Sequence, residues 1–135
     1  MAVTVQGRAD DPNVILQARI ATLATQVTNA TGVFQEAAAT AKAAAETELV
    51  NNLLAGGGAN GGRLDPAAVI STAGIVVQDP VLSGKITNTA TLANTTGTSV
   101  AAQNELHALR IQAIHGAMAT GQVSAAKILS SCTAL

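Results

Sequence analysis

All three prolines of this chain follow an aspartate, in Asp11-Pro12, Asp65-Pro66 and Asp79-Pro80. An Asp carboxylate accepts the orphan N–H bonds of a helix's first turn, and a proline at the first helical position loses no bond and presets φ near its helical value. The dipeptide therefore marks three helix starts. Long apolar patterns at helical spacing follow the first and the third, so the chain reads as all-α.

From Pro12 a seam of Leu16, Ile20, Leu23, Val27, Ala30, Phe34, Ala37, Ala41, Ala44 and Glu48 keeps strict four-three spacing, a heptad-like pattern. Its side chains shrink to Ala after Phe34, so a partner helix is expected to approach more closely there. Thr28 to Gly32 weaken the helix locally and allow a kink or a break. A second seam runs from Pro80 through Leu82, Ile86, Thr89, Ala93, Thr96, Val100, Gln103, His107, Ile111, Ile114, Met118, Gly121, Ala125 and Ile128, with a small slip in register at Ile111. Leu106, Leu109, Ala113 and Ala117 line another face of that same helix. An element apolar on more than one side must be covered on more than one side.

The expected architecture is two long helices, 11–55 and 79–129, forming a hairpin or an extended bundle, with a break near 97 or 121 as the variant for the second. Residues 1–10 form an N-terminal arm and 130–135 a tail. Residues 56–78 hold a glycine-rich loop, Gly56 to Gly62, and a short linking element. Within that element Asp65-Pro66 argues for a helix, whereas Ile75-Val76-Val77 argues for extended structure. The glycine run lacks the Lys-Ser/Thr that ends a phosphate-binding loop, so it reads as a turn.

The two halves also resemble each other. Asp11-Pro12, Ala21-Thr-Leu-Ala24 and Thr28-Asn-Ala-Thr-Gly32 compare with Asp79-Pro80, Ala90-Thr-Leu-Ala93 and Ala93-Asn-Thr-Thr-Gly97 in order and approximate spacing. In so biased a composition, internal duplication and chance both account for this.

Composition then narrows the function. Hydrophobic residues make up 48% of the chain but aromatics only 1%, the single Phe34, and charged residues only 11%. Without aromatic payload, contacts must come from close backbone approach over long interfaces, and a sparsely charged surface favours association. Formal net charge is −1 with no basic cluster, which argues against nucleic-acid binding. No apolar run reaches a membrane span and no signal-peptide layout opens the sequence, so a cytoplasmic protein is expected. On that reading the glycosylation-like Asn29-Ala-Thr31 and Asn94-Thr-Thr96 are chance matches.

Chemistry-bearing groups are sparse. His107 and His115 lie about two helical turns apart, too far to bind a metal together, and no carboxylate or Cys stands three or four residues from either. They read as packed or interfacial residues, with a pH switch as the functional alternative, because imidazole charges between pH 5 and 8. The lone Cys132 excludes an internal disulfide and reads as a spectator thiol. The eight carboxylates show no spacing suited to acid–base work. No catalytic, cofactor-binding or metal site is expected.

One stretch carries a family likeness. Thr96-Gly-Thr-Ser-Val-Ala-Ala-Gln-Asn-Glu-Leu-His-Ala-Leu109, followed by Ala117-Met-Ala-Thr-Gly-Gln-Val123, resembles the core of R-body (refractile body) subunits of the RebB type over residues 79–129. The chain departs from that family in lacking its tyrosines and in adding an N-terminal helix and the glycine-rich loop. The resemblance implies a bacterial cytoplasmic subunit that polymerises with copies of itself and related co-assembling subunits into a coiled ribbon that responds to conditions such as pH. The residues expected to carry self-association are Leu16, Ile20, Leu23, Val27, Phe34, Ala41, Leu106, Leu109, Ile111, Ile114 and Met118. The alternative readings are a phage virion component (a trimeric decoration, neck or fibre protein) and an adaptor that docks its helices in another protein's groove.

Overall fold

The computed structural model describes residues 3–5, 7–55, 64–94 and 100–132. Among these every regular element is helical: α1 Pro12–Asn29, α2 Gly32–Leu54, α3 Pro66–Ala73, α4 Pro80–Ala93, α5 Val100–Ala119 and α6 Ala125–Ser131. The Asp-Pro dipeptides open three of them. The Asp11 carboxylate accepts from the Asn13 N–H at 2.8 Å. Asp79 accepts from Val81 at 2.9 Å and from Leu82 at 3.4 Å.

Both expected long helices are divided. The first ends at Asn29, and the extended residues Ala30 and Thr31 lead into Gly32, whose φ of +61° lies in the left-handed region. The chain reverses at this point. Gln35 of α2 donates to the Val27 carbonyl at 2.8 Å and so satisfies one acceptor that α1 leaves open. At the far end of the hairpin, Asn52 donates to the buried Asn13 side chain at 3.0 Å, which makes α1 and α2 antiparallel.

The second expected helix is α4, α5 and α6. The break expected near 97 lies outside the described residues, between the end of α4 and the start of α5. The one near 121 is a Schellman stop: Gly121, at φ +78°, donates to the Met118 carbonyl and Gln122 donates to that of Ala117 at 2.9 Å. The linking element is helical in its first part only. Residues 66–73 are helical, Gly74 ends them at φ +67° with the same two bonds, and Ile75 to Gln78 continue without helical structure. The glycine-rich turn, Gly56 to Gly62, lies outside the described residues.

Packing divides the chain into two compact units, 1–65 with 125–135, and 66–124. In the first, α1 and α2 pair, α6 packs on α2, and the arm is tied in. Gln17 there donates to the Val3 carbonyl at 2.7 Å and accepts from the Val5 N–H at 2.9 Å. Its core includes Leu49, Val50, Leu53, Leu64 and Ile128. In the second, α4 and α5 pair and α3 packs on α5, with Val69 and Ile114 wholly buried.

Two glycines separate conformational strain from space. Neither Gly32 nor Gly84 has a heavy atom within 4 Å of where a Cβ would stand, but only Gly32 has a positive φ. Gly32→Ala should destabilise the protein by roughly 1–2 kcal/mol through left-handed strain alone. Gly84→Ala, inside α4, should stabilise it by about 0.5–1 kcal/mol. Urea unfolding of the two variants checks both signs, and a loss of stability in each would refute the account.

Candidate functional site

Among the described residues the chemistry-bearing side chains do not converge. His107 is half-buried and His115 exposed, both on α5. Among the described residues no three His, Cys, Asp or Glu side chains form a metal-binding group, and no helix is long and apolar enough to cross a membrane. Glu46 is buried beside Lys42 of the preceding turn, 3.4 Å from its ammonium. Cys132 is buried, and desolvation pushes its thiol above the ordinary range, which starves it of the thiolate a nucleophile needs.

The second unit contains a shaped depression. A cleft of about 120 Å³ is lined by Val76, Asp79, Leu82, Ala113, Ala117 and Gln122 among others. The start of α4 and the end of α5 meet there, so these helices are antiparallel. The Gln122 amide closes one side by accepting from the Val76 N–H at 2.6 Å and donating to the Val76 carbonyl at 3.0 Å. Small-molecule sites generally occupy about 300–1,000 Å³. The cleft is too small to enclose such a ligand.

What the surface offers is apolar. Val33 and Phe34 are 72% and 77% exposed at the tip of the α1–α2 hairpin, and Val76, Val81, Leu92, Val100 and Ile15 are also largely exposed. The α2 part of the expected seam points outward: Phe34, Ala37, Ala44 and Glu48 are exposed and Ala41 is half-buried. The buried line is instead Ala38, Ala45, Leu49 and Leu53. The two-residue break explains this correction, because a helix that restarts after a reversal takes its phase from the neighbour it meets. On α5 the buried residues are Leu106, Ala113 and Ala117 of the second expected face together with Ile114 of the seam, while the seam's His107, Ile111 and Met118 are half-buried.

The expected self-association residues accordingly separate. Leu23, Leu106 and Ile114 are buried within the chain itself, so their contacts are intrachain. Leu16, Ile20, Val27, Ala41, Leu109, Ile111 and Met118 are half-buried, and Phe34 is open to solvent. Val33 escaped the periodicity because it lies one residue off the seam. The clamps made by Gln17 and Gln122 escaped it because glutamine carries no pattern signal.

No protein-family model, curated protein or solved structure matches this chain.

The buried thiol makes a measurable prediction. Above the ordinary thiol range the unfolded chain releases the Cys132 proton while the folded chain keeps it, so stability should fall as pH rises through that window. Cys132→Ala should lack that component of the fall. Equal alkaline decline in the urea midpoints of both proteins would contradict it. Alkylation of the native protein by iodoacetamide should also be slow compared with that of the urea-unfolded chain.

Proposed function

We propose that this chain is a self-assembling structural subunit that polymerises with its own copies, in the manner of the coiled cytoplasmic ribbons that the R-body resemblance implies. The observation that carries the reading is the outward row on α2. Phe34, the chain's one aromatic residue, stands at its head beside Val33, and Ala37 and Ala44 continue it. Contiguous exposed apolar surface of this kind marks an interaction site, and the small side chains further along α2 let a second helix come close. The sparse charge of the chain works in the same direction.

An acid response fits the same assembly. His107 and His115 lie on α5, and a charge placed in a helix interface between copies costs free energy that water would otherwise supply. Acid would then alter the packing between subunits without unfolding them.

Sedimentation velocity of dilute protein at neutral pH, with negative-stain microscopy, tests the reading. Ribbons or sheets are expected. Discrete rings or trimers would favour the virion component instead, and stable dispersed monomers would favour the adaptor.

Two sets of variants sharpen it. Val33→Ser with Phe34→Ser should change stability by no more than about 0.5 kcal/mol, since both side chains are exposed, yet abolish or strongly reduce the polymer. Polymer of unchanged mass would remove the hairpin tip from the interface. His107→Gln with His115→Gln should abolish any acid-induced change in polymer shape, whereas an unaltered response would move the switch to other groups.

A further inference from the structure

The two units are assembled from equivalent parts joined in different orders. Aligning α6 on α3 so that Ile128 falls on Val69, both wholly buried, places Ala125 on Pro66 and Val123 on Leu64, and all four of these are buried too. Ser130 then falls on Ser71, both exposed. The units change hands at matched positions, after Asp65 and after Ser124.

The same register extends to a backbone bond. In the second unit the Ile70 carbonyl accepts from the Ile75 N–H at 3.0 Å, which ends α3. The matched carbonyl on α6, that of Leu129, accepts from Val3 at 2.6 Å. Val3 and Ile75 are both buried, and the residues after them, Thr4 and Val76, are both exposed. Val3 therefore sits on α6 as Ile75 sits on α3.

The connectivity differs. The second unit runs α3, Ile75 to Gln78, α4 and α5 in unbroken chain order. The first needs the same sequence of parts, a short helix followed by a non-helical segment and two long helices, but takes its short helix from the other end of the sequence. Packing on α2 and the Val3 bond hold α6 there, and no local chain segment ties it to the arm.

We infer that α6 is an exchangeable element: the acceptor made by Val3–Val5, α1 and α2 of one copy receives α6 of a second copy, which joins the copies head to tail. The occupant is fixed by the acceptor's own core, which already fits Ala125, Ile128 and Cys132. Gly121, at φ +78°, lies in the turn before α6 and can absorb the redirection of the chain. Donor and acceptor are different surfaces, so the contact is heterologous and, where its rotation does not close, propagates into a filament. This rests on the self-assembly reading above and names the joint it would use.

Backbone cyclisation of the full chain tests the joint. Residue 135 is joined to residue 1 through a short Gly/Ser linker that holds α6 beside its own arm, and an uncyclised chain carrying the same linker residues is the control. With helical content matched by circular dichroism, the control should sediment as polymer and the cyclic protein as single copies. Polymer from both would overturn the exchange of α6 while leaving self-assembly intact. Single copies from both would overturn the self-assembly reading itself. A second measurement does not depend on the cyclic protein folding: Ile128→Asp disables the donor and Val50→Asp the acceptor, so each variant alone should lose the polymer. Mixed, they should form a 1:1 pair through the intact acceptor of the first and the intact α6 of the second. Absence of that pair would overturn the inference.

Discussion

Two antiparallel helices bury one face against each other and leave a second face wet, and the organisation of this chain follows from how the second face of α2 and of α5 is covered. A short helix does it in both cases, α6 on α2 and α3 on α5. The cores beneath are aliphatic, since the one aromatic side chain is outside. Area must therefore come from close approach of small residues, and Ala38, Ala45, Ala113 and Ala117 are all buried on the long helices. Removing either short helix would return that area to water at about 25 cal/mol for each apolar Å².

The short helices also explain the division into units. Each one follows one hairpin in sequence yet packs in the unit of the other, α3 on α5 and α6 on α2. Leu64 and Val123, the buried residues just before them, stay behind, tied by backbone bonds to Leu53 and Ala117 of the preceding helix. The weak repetition of Asp-Pro, Ala-Thr-Leu-Ala and Thr-Gly segments along the sequence gains a structural counterpart in this matched crossing. The proposed joint would make between chains the crossing that each short helix already makes within one.

On the proposed reading, the exposed apolar row on α2 would add contact area along a preformed surface, and exchange of α6 would reuse a core. Together they account for a sequence rich in hydrophobic residues, poor in charge and without a converging catalytic constellation among its described residues.

What the sequence determined by itself was local. Asp11 and Asp79 cap helices because a carboxylate two or three residues from free N–H groups needs no distant partner, and the breaks at Gly32 and Gly121 follow from the freedom of glycine at positive φ. The all-helical class was legible for the same reason, whereas for residues 66–77 the sequence left helix and extended structure both open. Which face of α2 is buried was not, because two extended residues at Ala30 and Thr31 reset the helical phase and the choice passed to contacts with α1 and α6. The placement of α6 beside Val3 was equally hidden: packing joins residues by shape and solvent exclusion, whatever their separation along the chain, and only the tertiary structure decides it.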